Sequence, residues 1–213
     1  MDPDIKRFNA PALAYFTPED MRDIHAAALE ILNDCGTVIH HAPALQLLRE
    51  AGAQVGDGKR AYIPAGLIEW AIGSAPSRVT VYDRNGAPAM HLEGRNVYYG
   101  SGSDCPNLLD SVTGERRDFL SADVEDAVRL VDALPYIDFT MSMGLAPDIA
   151  SERQYQSKYA IMLRNSAKPQ VITAGDKNSL NDIIDMAAAA VGGRNQLQRK
   201  PIFVLYDEPT SPL

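Results

Sequence analysis

Cysteine is scarce: Cys35 and Cys105 are the only two in 213 residues. Two thiols cannot build a disulfide framework, and free thiols fit a reducing compartment. Basic residues are the minority charge, 20 Lys and Arg against 28 Asp and Glu, for a formal net charge of −8. A surface of that sign repels phosphate backbones, which argues against nucleic acid as a partner. It suits a cationic small molecule, or simply solubility. Long apolar runs are missing as well. The longest uncharged stretch, Cys35–Leu48, is interrupted by His40, His41 and Pro43 and is shorter than the ~18 apolar residues of a membrane span. The N-terminus, Met1-Asp2-Pro3-Asp4, lacks the basic-then-apolar order of a secretory leader. A cytoplasmic protein with no membrane partner is therefore expected. Hydrophobic residues at 46% and charged residues at 23% exclude disorder, collagen and coiled coil as whole-chain descriptions.

What is present changes character along the chain. Thr17-Pro18-Glu19-Asp20 is a helix start, with a Thr cap, Pro in the first turn and an acid three residues on. Met21, Ile24, Ala28, Ile31 and Leu32 follow at helical spacing, and Gly36 ends the run. Shorter helices are expected over 44–51 and 64–72. Alternation then sets in over 78–83 and returns over 89–92, around the hairpin signal Asn85-Gly86. A short strand over 96–99 follows, then a second hairpin around Thr113-Gly114. Residues 1–120 thus form an N-terminal helical and small antiparallel β region.

Residues 121–213 alternate helix and strand. Helices are expected from Ser121, from the capping-box pattern Ser151-Glu152-Arg153-Gln154, and over 180–191 up to Gly192-Gly193. Strands are centred near Phe139, Ile172 and Leu205, at intervals of about 33 residues. An eight-unit barrel of ~250 residues gives ~31 residues per unit. The expected fold class is α/β, a partial (β/α)8 barrel of the TIM type comprising its first three units. Three strands do not close a barrel, and open edges invite pairing. Self-association is therefore expected, and the chain reads as the front of something longer.

Candidate functional residues follow from that architecture. His40-His41 lacks further ligands nearby. Gly100-Ser101-Gly102-Ser103-Asp104-Cys105 lacks the third glycine of a dinucleotide loop, and the chain shows no ribose-binding acid at the right distance. Gly100 and Gly102 instead shape the loop, either as a plain tight loop or as backbone that a ligand or barrel top can approach closely. Tyr206, Asp207 and Glu208 follow a strand, the end at which barrel active sites lie. An aromatic face beside carboxylates binds a quaternary ammonium, and Tyr98 offers a further ring. Tyr98, Tyr206, Asp207 and Glu208 are the expected substrate-binding residues. No catalytic residue and no metal site is assigned.

Several segments in order carry a resemblance: Thr17–Leu32, Ala51–Ala53, Ile63-Pro64, Ser74–Pro76, Tyr98–Gly102, Pro106–Asp110, Thr113–Arg117, Leu134–Phe139 and Glu208–Leu213. Together they resemble the N-terminal half of the trimethylamine methyltransferase family. The resemblance implies a β/α barrel enzyme with an N-terminal extension. Such enzymes move a methyl group from a methylated amine to a corrinoid (cobalamin) carried by a separate protein, as in methanogenesis. The corrinoid protein and a small methylated amine are the implied partners, with no cofactor bound directly. Archaeal members carry a pyrrolysine in the C-terminal half, outside these residues, while others act on quaternary amines such as glycine betaine. The alternative is a truncated, non-catalytic relative that binds a methylated amine or a partner chain.

Overall fold

The computed structural model describes residues 14–208. They form two compact units, one of residues 14–76 with Glu208, the other of Ser77–Asp207. The boundary expected at residue 120 falls inside the second unit.

The first unit opens with α1 (Pro18–Glu30). The Thr17 hydroxyl accepts the Asp20 N–H at 3.1 Å, and the Asp20 carboxylate accepts the Thr17 N–H at 2.8 Å. This reciprocal cap satisfies donors that a helix start leaves unpaired. The helix runs into a π-turn, Ile31–Cys35, and stops at Gly36. There φ is +64°, and an added Cβ would lie 2.5 Å from the Ala61 carbonyl oxygen, so only glycine fits. Strands β1 (Thr37–Val38), β2 (Gln54–Val55) and β3 (Arg60–Tyr62) form an antiparallel sheet in the order β1-β3-β2. Helix α2 (Ala42–Glu50) is capped by His41, whose Nδ1 accepts the Ala44 N–H at 3.3 Å. Helix α3 (Ala65–Ser74) completes the unit.

Its core is small: Ile39, Leu45 and Ala61, with Ala44, Leu48, Val55 and Ile63 around them. The apolar stripe of α1 does not reach it. Met21, Ile24 and Ile31 are 62%, 55% and 57% exposed, against the expectation from spacing. The sheet and α2 close the core between themselves. Helix α1 is tied to α3 by a polar contact, His25 Nε2 to Glu69 Oε1 at 2.7 Å.

The second unit starts with a hairpin of β4 (Arg78–Tyr82) and β5 (Pro88–Glu93). Its loop is longer than the two-residue Asn85-Gly86 turn expected. The Gly86 N–H donates to the Asp83 carbonyl at 3.0 Å and the Asp83 N–H to the Ala87 carbonyl at 2.9 Å; Gly86 alone takes a positive φ, +85°. A second hairpin pairs β6 (Asn107–Leu109) with β7 (Arg116–Asp118). The Asp110 carboxylate holds its turn through the N–H groups of Val112 and Thr113, at 2.9 and 3.0 Å. The two hairpins are separate two-stranded sheets, not the single sheet expected.

Helix α4 (Ser121–Ala133) follows. Ser121 does not cap it; its N–H and hydroxyl both go to Asp148, at 2.9 and 2.5 Å. The Ser151–Gln154 capping box does not form either. Ser151–Arg153 make a 3-10 turn with no side-chain cap before α5 (Gln154–Asn165). Then come β8 (Gln170–Ile172), α6 (Lys177–Val191), α7 (Arg194–Arg199) and β9 (Phe203–Leu205). Helix α6 ends at left-handed Gly192, φ +89°. Val124 and Val128 of α4, Tyr159 and Met162 of α5, and Ile183 and Ala187 of α6 pack with Ile172 and Ile202 in one core. Their burial is nearly complete, and this is the main apolar stabilisation of the unit.

Parallel pairing in this unit is short. Strands β8 and β9 pair in parallel, Gln170 to Phe203 through Ile172 to Leu205. Single parallel bridges join Gly100 to Phe139, Cys105 to Gly144 and Thr140 to Gln170. The expected strands over 96–99 and 137–143 are therefore not regular strands, but their neighbourhood is defined. The fold is a mixed α/β structure with small antiparallel sheets, and no closed barrel is present among the described residues.

Candidate functional site at the carboxyl ends of the parallel segments

Parallel neighbours put like ends on the same side. The segments through Gly100, Phe139, Gln170 and Phe203 lie side by side in sequence order. Their carboxyl ends lead into Ser103-Asp104-Cys105, Met143-Gly144, Thr173-Ala174-Gly175 and Tyr206-Asp207.

The backbone there is tightly held. The Met143 N–H donates to the Gly102 carbonyl at 2.9 Å, the Cys105 N–H to Met143 at 2.9 Å, and the Leu145 N–H to Cys105 at 3.1 Å. The Ser101 hydroxyl accepts the Met141 N–H at 2.7 Å. Three non-glycine residues take left-handed backbone in this small region: Asp104 (φ +62°), Met143 (+59°) and Ala146 (+51°). Each such residue costs about 1–3 kcal/mol and persists only where its surroundings over-determine it. Among the described residues the only other one is Lys59, in the first unit. Close approach adds to the constraint. A Cβ on Gly100 would lie 2.1 Å from the Phe139 ring, and one on Gly144 2.0 Å from the Phe119 ring. Gly102 has nothing within 4 Å of that position.

The sequence candidates divide. Gly100 and Gly102 lie on the segment bound to Phe139–Met143. Tyr206 is half-exposed, and its N–H donates to the Ile172 carbonyl at 2.8 Å; Asp207 follows it on the surface. The Tyr98 hydroxyl is occupied on the first hairpin, accepting the His91 N–H at 2.7 Å and donating to the His91 carbonyl at 3.2 Å. The neighbouring Tyr99 is exposed, with its N–H on the Asp138 carboxylate at 2.9 Å. Glu208 is grouped with the other compact unit. Residues 209–213, part of the last resembling segment, lie outside the described residues. His91 Nδ1 pairs with the Thr80 hydroxyl at 3.1 Å.

Two features escaped the sequence reading. One is Lys158, which sits on the apolar stripe of α5 with Tyr155, Tyr159 and Met162. All line one cleft with Ser103, Ser142 and Thr173. Its signal was legible: a lysine in register with the apolar face of a helix. The other is Arg117, which holds Asp123 with two bonds, at 2.7 and 2.8 Å, and Asp110 with one, at 2.9 Å. The Asp110 carboxyl is held down at about 2, first by the Thr113 N–H and then by Arg117 and the Val112 N–H. Asp123 is lowered chiefly by Arg117. This clamp joins the second hairpin to the start of α4. Burial pushes the Tyr159 hydroxyl well above the usual tyrosine range. No group of three or more His, Cys, Asp or Glu side chains that could hold a metal ion occurs among the described residues, and no described helix is long and apolar enough to cross a membrane.

Comparison with known proteins places this geometry in context. Residues 3–213 match the family model described as trimethylamine methyltransferase (MTTB). The trimethylamine methyltransferase MttB of Desulfitobacterium hafniense (strain DSM 10664 / DCB-2) is 30% identical over 210 residues, 98% of this chain and 42% of the relative. The glycine betaine methyltransferase of D. hafniense (strain Y51) is 26% identical over 204 residues, 95% and 42% respectively. The trimethylamine methyltransferase MttB of Methanosarcina barkeri is 29% identical over 216 residues, 96% and 43%. The chain spans about two-fifths of the length of these relatives.

Proposed function

The chain belongs to the trimethylamine methyltransferase family, and on that premise we propose that it serves methyl transfer from a methylated amine to a corrinoid carried by a separate protein. The second unit is read as the opening part of a (β/α)8 barrel. Four neighbouring parallel segments in sequence order, with helices between the later ones, support that reading. The observation that carries the functional reading is that Tyr206-Asp207 leave their segment at the same end of the parallel row as the strained Ser103–Cys105 and Met143–Ala146 backbone.

The chemistry asks little of acid–base groups. A quaternary ammonium loses a methyl group and departs as a neutral tertiary amine, so no general acid is needed at nitrogen. The corrinoid, as the methyl acceptor, supplies a low-valent cobalt nucleophile. What the chain supplies is position and charge. The Tyr206 ring faces the cation, and the Asp207 carboxylate balances its charge. Rigid strand ends fix the direction in which the methyl group points. Orientation of this kind is worth up to ~7–11 kcal/mol in favourable cases, which fits a site without a catalytic histidine set.

Isothermal calorimetry with glycine betaine and with trimethylamine tests the reading. Saturable binding of one of them is expected, weakened about 2- to 30-fold by Tyr206→Ala, the range of a ~0.5–2 kcal/mol cation–π contact. A folded sample that binds neither cation overturns it.

A further inference from the structure

The side chain of Lys158 is 4% exposed. Its three N–H donors find one acceptor, Asp104 Oδ1, at 3.5 Å. Its other contact is the face of the Tyr155 ring, 5.5 Å from the ring centroid. That ring lies where a Cβ on Gly175 would sit, 2.6 Å from its nearest atom, so the strand end itself keeps the ring under the ammonium. A buried ammonium paired this poorly is costly unless an anion completes it. Asp104 is a weak permanent partner. Its side chain is 47% exposed, its backbone is left-handed, and it also accepts the Ser103 hydroxyl at 3.2 Å. The same cleft holds a second unsatisfied polar group, the Tyr159 hydroxyl, which is buried without a hydrogen-bond partner.

We propose that Lys158 is an anion-recognition residue that takes the carboxylate of a zwitterionic, betaine-type substrate, Asp104 holding its place in the free protein. This rests on the methylated-amine reading and narrows it to amines that carry a carboxylate. Ile172 and Thr173 line the Lys158 cleft, and Tyr206 is bonded to the Ile172 carbonyl. The anion end and the aromatic end of such a substrate would therefore be served by adjoining strand ends.

The test compares two cations that differ in the carboxylate, glycine betaine and tetramethylammonium, by calorimetry on the 213-residue chain. Wild type should bind glycine betaine at least tenfold more tightly. Lys158→Met should erase that preference by weakening glycine betaine alone, and Lys158→Arg should restore part of it. Equal loss for both cations, or no loss, overturns the proposal. Asp104→Asn guards against a misfolded Lys158 variant, because asparagine tolerates left-handed backbone. It frees the amine and should tighten glycine betaine several-fold, and weakening by it overturns the proposal. Acetate, followed through the Lys158 side-chain resonance by NMR, separates the two readings. A Lys158-dependent acetate response with no cation binding sustains the anion site and removes the amine reading. Cation binding with no acetate response removes the anion site and leaves the amine reading standing.

Discussion

Gly100→Ala is the sharpest test of the strand-end geometry. The backbone of Gly100 is outside the left-handed region, so alanine meets no conformational penalty there. The cost is steric and local. The new Cβ would lie 2.1, 2.3 and 2.4 Å from Cε2, Cδ2 and Cζ of Phe139, against the ~3.5–4.0 Å of a relaxed carbon contact. The half-buried ring must move aside by about 1.5 Å, beside the bridge that joins Gly100 to Phe139. Overpacking of this kind costs ~1–3 kcal/mol. Taking about 2 kcal/mol, the melting temperature should fall by about 4–8 °C for a chain of this size. Thermal melts of Gly100→Ala, Phe139→Leu and the double variant read the coupling. The smaller leucine should accommodate the methyl group, so the double variant should be more stable than the two single losses added together. Gly102→Ala is the control: with nothing within 4 Å of its Cβ position, it should change stability by no more than ~0.5 kcal/mol. A neutral Gly100→Ala, or additive losses in the double variant, refutes the close-approach account of this loop.

Two further outcomes follow from buried and paired polar groups. Folding lowers the Asp110 and Asp123 carboxyls. The stability they contribute is therefore fully present above the unfolded carboxylate range and is lost as pH falls from about 4 towards about 2. Arg117→Met should flatten that loss, and urea unfolding midpoints across the window check it; an unchanged slope counts against the clamp. Thr140 is fully buried with its hydroxyl unsatisfied, so Thr140→Val, which keeps the shape and removes the orphan, should be neutral or stabilising in the same assay. Destabilisation above ~1 kcal/mol would mean that the hydroxyl has a role in the fold.

Local chemistry made much of the fold readable. The Thr17–Asp20 reciprocal cap, the Gly36 and Gly192 terminators and the turn around Thr113-Gly114 all rest on contacts within a few residues, and each appears where its signal lies. Where a local signal is not followed, contacts beyond its own few residues decide the outcome. Ser121 carries a cap signature, but Asp148 takes both its N–H and its hydroxyl. The α1 stripe has the right period, yet periodicity names a face without naming what covers it, and Ile39, Leu45 and Ala61 close their core without α1. Tyr98 precedes the glycine loop, which makes it a candidate pocket ring. Its hydroxyl bonds to the His91 backbone, a contact that depends on how the first hairpin folds back. Lys158 was legible in principle as a charge on an apolar stripe, but its meaning needed Asp104, Tyr155 and Gly175 brought together by the strand ends.

Three observations meet at those ends. Backbone strain in the second unit is confined to Asp104, Met143 and Ala146. The poorly paired buried amine of Lys158 points to the first of them. The exposed aromatic and acid of Tyr206-Asp207 leave the neighbouring strand at the Ile172 carbonyl. A merely structural loop would have little reason to keep non-glycine residues in left-handed backbone, because glycine or asparagine there would relieve the strain at no loss of packing. Asp104→Gly separates the two accounts. If the strain only closes a turn, glycine stabilises the unit and leaves ligand binding alone. If the carboxylate is held there to occupy Lys158 until a substrate carboxylate replaces it, glycine stabilises the backbone and tightens carboxylate binding together.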